Sequence, residues 1–171
     1  HDSHRNYFGG SIHVTNLAYD IALGIRQAQV YGTSMKQNVQ QSTFRGYGIH
    51  FAEIDRFVLF VDLDDNGLYN TGADTEDGCN PNSECVTVFK VEKGNFISNF
   101  CGTVDSVTDC AANQAINGLD ILFHRPDPEP TITGFTGGLS KTYYSASITV
   151  TSPQNVSKTV AVLSTGQISV Q

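Results

Sequence analysis

Between residues 62 and 74 the chain reads DLDDNGLYNTGAD, its closest grouping of hard oxygen donors. Asp62, Asp64 and Asn66 alternate, Gly67 follows at once, and Asn70 comes three residues later. This spacing matches the opening of an EF-hand-type calcium loop, in which alternate side chains and one backbone carbonyl converge on the ion. The expected ligands are Asp62, Asp64, Asn66, the Leu68 carbonyl and Asn70. The twelfth position holds Ala73 where a bidentate glutamate belongs, so Asp74, or else Glu76, is expected to complete the set. Calcium bound here would hold together a loop of adjacent negative charges. The same residues also suit an acidic turn between strands that needs no ion.

Cys79, Cys85, Cys101 and Cys110 are even in number and contain no CxxC pair, which favours disulfides over a zinc or redox motif. Of the three connectivities, Cys79 with Cys85 and Cys101 with Cys110 closes two short loops and is the simplest; four reduced core thiols is the alternative. Catalytic signatures are missing: the sequence has no HExxH, no GxSxG, no P-loop and no GxGxxG after a strand. His1, His4, His13, His50 and His124 are widely spaced without an obvious orienting partner. The reading is a protein with no catalytic residues. Asn155-Val156-Ser157 is a glycosylation sequon, and Tyr143 and Tyr144 are read as packing residues, the alternative being a recognition patch with Phe135 and Gly137-Gly138.

The elements that would position the loop follow from periodicity. Residues 15–40 carry the only long helical pattern, with Leu17, Ile21, Ile25, Ala28, Met35 and Val39 near one face and Thr15 or Asn16 as cap. Residues 1–14 read as an irregular lead-in because Gly9 and Gly10 weaken a helix. From residue 45 onward short runs rich in aromatic and β-branched residues indicate strands at 47–51, 57–63, 86–91, 96–100, 119–123, 131–135, 145–152, 158–164 and 166–170. The last two suggest a C-terminal hairpin turning at Gly166. The proline-marked stretch 124–130 belongs in an exposed connection. The expected architecture is one α+β domain over 1–171, an amphipathic helix packed on antiparallel β-sheets.

The helix wording IRQAQ at residues 25–29, together with LSTGQISV at residues 163–170, resembles the soluble part of type IV pilin-like proteins, nearest the minor pseudopilins of the GspH/FimT kind. The resemblance implies an N-terminal hydrophobic helix missing from this chain, through which alone it would meet a membrane. It also implies a non-enzymatic role in assembling a type IV pilus or a type II secretion pseudopilus, with other pilin or pseudopilin subunits as partners. Gln167 stands where many relatives carry a basic residue, which departs from a DNA-uptake pilin.

The chain has 171 residues and a formal charge of −7, a negative field that disfavours phosphate backbones, so no nucleic-acid partner is expected. Oxidised cysteines imply an extracellular or cell-surface location. Two rival classes are an extracellular adhesion or ligand-binding module and a secreted hydrolase with a deep polar pocket.

Overall fold

In the computed structural model, residues 2–34, 45–92 and 94–171 are described, with side chains from residue 12 onward. Among them are one helix, α1 (Asp2–Thr33), and thirteen strands. Sheet one has six antiparallel strands ordered β10-β9-β8-β1-β2-β5: β10 (Leu139–Tyr143), β9 (Thr131–Thr136), β8 (Gly118–Phe123), β1 (Tyr47–Phe51), β2 (Arg56–Val61) and β5 (Cys85–Lys90). Sheet two is ordered β13-β12-β11-β6-β7: β13 (Ile168–Val170), β12 (Ser157–Val162), β11 (Ser145–Thr151), β6 (Phe96–Val104) and β7 (Val107–Cys110). A ribbon of β3 (Asp74–Thr75) and β4 (Gly78–Cys79) makes a third, small sheet.

This architecture corrects the expected α+β class. Thirteen strands in three antiparallel sheets make the chain β-rich, and the two large sheets, not a helix laid on one of them, define the fold. The helix occupies the mouth between them, touching β1, β2 and β8 on one side and β11, β12 and β13 on the other. Away from the helix the sheets approach directly, β6 meeting β8, β9 and β10.

The inner face of α1 carries Val14, Leu17, Ala18, Ile21, Ile25 and Ala28, all buried in a core shared with Ile49, Phe57, Ile121, Ile148 and Val160. Gly32 sits where the helix crosses the end of β8: a Cβ there would lie 2.2 Å from the Phe123 carbonyl oxygen, too close for any side chain. The Gly32 carbonyl in turn accepts the Arg125 N–H at 2.8 Å. At the other end the Tyr143 ring fills the space over Gly102 of β6 and Gly134 of β9, and its hydroxyl donates to Asp109 of β7 at 2.7 Å. Lys141 reaches the same carboxylate at 3.1 Å, so one acid on sheet two holds two residues of sheet one's edge strand.

Sheet one is apolar on both faces. Phe57, Leu59 and Val61 of β2 point into the main core, whereas Val58 and Phe60 join Leu122, Tyr69, Ala73 and Cys85 in a second cluster. Two buried faces explain why β1, β2 and β8 read as nearly continuous hydrophobic runs.

Several boundaries differ from the sequence reading. The helix starts at Asp2 and not at residue 15, so the stretch 1–14 is helical from Asp2 onward and Thr15 and Asn16 lie inside the helix. Gly9 and Gly10 lower helix propensity without preventing the helix from extending across them. The expected helical end, with Met35, Val39 and Gln40, lies outside the described residues. Strands β3, β4, β7 and β10 leave no strand pattern in the sequence, because two have two residues each and the others, VTDC and LSKTY, are largely polar. The terminal hairpin pairs Val160 with Val170 and Val162 with Ile168, and Gly166 turns it with φ of 90°. Residues 124–130 join β8 to β9 across the surface.

Ile25 is fully buried while Leu23, two residues away, is 63% exposed. Ile25→Ala should therefore cost about 2–5 kcal/mol of unfolding free energy. Leu23→Ala should stay within about 0.5 kcal/mol. Denaturant midpoints of the two variants check this, and equal losses would show that the helix is seated differently.

Candidate metal centre

The chain leaves β2 at Val61 and returns to β5 at Cys85, and between these points residues 62–84 fold back over the outer face of sheet one. Tyr69 and Ala73 of this excursion are the apolar plugs of the second cluster. Antiparallel pairing of β2 with β5 sets Phe60 against Cys85, and the Val61 N–H donates to the Glu84 carbonyl at 2.9 Å. Asp62 and Glu84 are thereby the two feet of the excursion, side by side and both buried.

Each buried carboxylate is met by backbone donors. Asp62 accepts the Gly67 N–H at 2.8 Å and the Asn66 N–H at 3.2 Å. Glu84 accepts the Leu63 N–H at 2.8 Å through Oε2 and the Asn70 N–H at 2.8 Å through Oε1. Asp64, on the exposed side, accepts the Asn66 N–H at 3.3 Å and the Asn70 side-chain amide at 3.2 Å. Oxygen atoms of Asp62, Asp64 and Glu84 lie within 4.8 Å of one another, a separation that one cation can bridge.

Three acids so close perturb one another. Burial raises the Asp62 pKa, offset in part by the Gly67 N–H, and Asp64 beside it pushes the same way. Burial likewise raises that of Glu84, against the Asn70 and Leu63 donors, with Asp64 and Asp62 adding to the rise. Asp64 moves down: desolvation is the largest single effect on it and pushes up, but hydrogen bonds from Asn70 and Asn66 and the contacts with Asp62 and Glu84 together outweigh it. Burial and crowding thus favour the neutral form at Asp62 and Glu84, and a hard cation would serve the same electrostatic need.

Of the expected ligands, Asp62 and Asp64 come together, with Asn66 and Asn70 alongside. Asn70 bridges Asp64 and Asn66, its side-chain oxygen lying 3.5 Å from the Asn66 amide nitrogen. The Leu68 N–H donates to the Asn66 side-chain oxygen at 2.9 Å. Asp74 stands apart on β3, accepting the Tyr69 hydroxyl at 2.7 Å and the Arg56 Nε at 2.9 Å. Those partners hold its carboxyl below the usual range despite partial burial. Glu84 supplies the third carboxylate of the cluster. It lies ten residues beyond Asp74, and the signal that finds it is the pairing of the flanking strands, not loop spacing.

His50 also has a partner that spacing alone did not reveal. Its Nδ1 lies 2.6 Å from Asp120 Oδ1 across the β1–β8 pair, both residues buried. The second Asp120 oxygen accepts the Tyr69 N–H at 2.8 Å, and the His50 ring packs between Tyr69 and Phe135. This pair ties the excursion to the centre of sheet one.

The disulfides are Cys79–Cys85 and Cys101–Cys110. The first fastens the β3–β4 ribbon to the start of β5, and the second links facing residues of β6 and β7. Among the described residues no helix is long and apolar enough to cross a membrane. The chain matches no family model, no curated protein and no solved structure.

The carboxyl shifts give stability two opposing pH slopes in chelator. Asp74, Asp64 and Asp109, lowered in the folded state, contribute stability that is present above their unfolded value of 3.8 and lost as pH falls through their folded values. Asp62 and Glu84, raised in the folded state, contribute stability present below their unfolded values of 3.8 and 4.5 and lost as pH rises through their folded values. Unfolding midpoints measured with chelator should peak near the ordinary carboxyl range and decline above it. Asp64→Asn should flatten that decline by removing the nearest repelling charge. A midpoint that keeps rising to neutral pH would contradict the arrangement.

Proposed function

We propose that this chain is a non-enzymatic assembly subunit of an extracytoplasmic filament of the type IV pilus or secretion pseudopilus kind. One observation carries the reading: α1 is apolar on two opposite faces, and the body covers only one. Ile12 is 58%, Tyr19 55%, Leu23 63% and Val30 54% exposed. At 3.6 residues per turn these four fall within about 40° of one another, on the side away from Ile21 and Ile25. A stripe so narrow has the width of a helix–helix seam, the contact by which helices join a bundle. The helix wording that resembles minor pseudopilins lies in this same element, and the two disulfides suit an oxidising compartment.

Shearing cells that make the protein and probing the filament fraction tests the reading. Leu23→Glu should leave thermal unfolding unchanged and remove the subunit from filaments. Undiminished incorporation of a folded Leu23→Glu protein would sink it.

In this reading the excursion over sheet one is an outward surface stiffened by calcium held between Asp62, Asp64 and Glu84. The large, flexible oxygen shell of calcium suits a site built from carboxylates and amides on one loop, and magnesium, with its smaller rigid shell, suits it less. Weak extracellular sites have dissociation constants of about 10⁻⁴–10⁻³ M. Calcium at about 10 mM should then add roughly 1.4–2.7 kcal/mol of stability. Asp62→Ala and Glu84→Ala should abolish the increment. Identical melting of the parent protein in calcium and in chelator would reduce the cluster to an acidic turn.

A further inference from the structure

A cleft of about 440 Å³ is lined by both large sheets, where the β1–β2 turn, β6 and the segment between β7 and β8 come together. Its size lies within the range of small-molecule sites, about 300–1,000 Å³. Among the described residues, every one that lines it is uncharged. Three other clefts on the body each hold Lys90 and Glu92, so a neutral lining is not simply what this surface offers. Buried Ile97, Phe100 and Ile116 give the cleft an apolar floor, and Ile54, 64% exposed, adds an apolar side chain at its rim. The polar part of the lining is dominated by three carboxamides, Asn99, Gln114 and Asn117.

We infer that this cleft binds a neutral saccharide of one or two rings. A sugar presents hydroxyls, each both donor and acceptor, beside apolar C–H faces. A carboxamide offers two N–H donors and a carbonyl acceptor, so it can meet two neighbouring hydroxyls at once. The apolar floor and Ile54 take the C–H face. A charged ligand finds no counter-charge in this lining, and an anionic one also meets the field of a chain with net charge −7. A wholly apolar ligand would cover the amides and leave them without partners. No residue of α1 lines the cleft, so the inference does not rest on the assembly reading.

The amides are both available and held in place. Asn99 Oδ1 accepts the Ala112 N–H at 2.9 Å, which fixes the amide plane, while its Nδ2 has only the weak acceptor Cys101 Sγ at 3.5 Å. Among the described residues the Gln114 and Asn117 side chains make no hydrogen bond. The backbone that carries them is tied down: the Ala111 N–H donates to the Phe100 carbonyl and the Asn117 N–H to the Phe135 carbonyl, each at 2.9 Å. The Cys101–Cys110 disulfide closes the start of the same segment, and a frame already ordered loses less freedom on binding. Gln114 has φ of 64°. Of the six described non-glycine residues at positive φ, the other five are Asp, Asn or Ser, whose short polar side chains ease that backbone. A long amide held at a strained backbone position beside a cleft fits a residue retained for what its side chain binds.

Titration followed by NMR, with glucose, galactose, mannose, N-acetylglucosamine, lactose and cellobiose as probes, tests the inference. At least one should give saturable shifts that move the side-chain amide signals of Asn99, Gln114 and Asn117 together. Gln114→Gly suits the left-handed backbone, so it should melt no lower than the parent and yet weaken binding about tenfold, the loss of one good hydrogen bond. Asn117→Ala should weaken it similarly, and glucuronic acid should bind less well than glucose. Retention of the protein on an insoluble polysaccharide of the bound sugar, with release by the free sugar, identifies a surface glycan as the source; binding of the free sugar without such retention identifies a soluble one. No saturable shift from any of the six probes would overturn the site. So would undiminished binding by the folded Gln114→Gly, Asn117→Ala double variant, or glucuronic acid binding as tightly as glucose.

Discussion

The helix seated in the mouth between two sheets is the constraint on which the rest of the structure depends. An α-helix with its side chains is about 10 Å across, and sheets packed face to face lie only about 10 Å apart with their own side chains filling the gap, so they must splay to admit it. Sheets held apart by such a wedge along one end must close at the other, or their inner faces meet water. Closure here is made by small residues opposite a large one: Tyr143 presses onto Gly102 and Gly134, where any Cβ would clash with the ring. The Asp109 carboxylate, taking both the Tyr143 hydroxyl and the Lys141 ammonium, fixes that closure with polar contacts at the rim.

The outer face of sheet one poses a second burial problem. Val58, Phe60 and Leu122 point away from the helix and need cover, which the chain supplies from its own 62–84 excursion. Covering an apolar face with a loop requires satisfying the loop's backbone where it dives under, and buried N–H groups need acceptors. Asp62, Glu84 and Asp120 are those acceptors, receiving the N–H groups of Asn66, Gly67, Leu63, Asn70 and Tyr69. The acid cluster is therefore first a solution to backbone hydrogen bonding. Its cost is like-charge crowding, visible in the raised pKa values of Asp62 and Glu84.

What was legible in the sequence was local. Nine strands appear at or near their observed positions because β-branched and aromatic runs persist where both sheet faces are buried, as in β1, β2 and β8. The alternating acids of the loop were equally plain. What was not legible depended on contacts distant in sequence. Glu84 joins Asp62 only because β2 pairs with β5, and His50 finds Asp120 seventy residues away because β1 pairs with β8. The class was misjudged for a related reason: one long helix at the start of the chain draws attention from four short or polar strands, and the division of the rest into two facing sheets leaves no periodic trace. The helix's own start was obscured by Gly9 and Gly10, whose unfavourable propensity is small beside what packing of α1 against the body supplies.

The same helix departs from an ordinary amphipathic pattern. A helix that serves only its own domain places polar residues opposite its buried stripe. Here the opposite face holds Ile12, Tyr19, Leu23 and Val30, and the polar residues Asn16, Asp20, Arg26 and Gln27 are pushed to the flanks. Burial of the inner face already anchors the helix, so folding of the domain leaves those four residues in water. A second apolar seam parallel to the axis is what the proposed assembly role asks of the element: packing once within its domain and again against a neighbour.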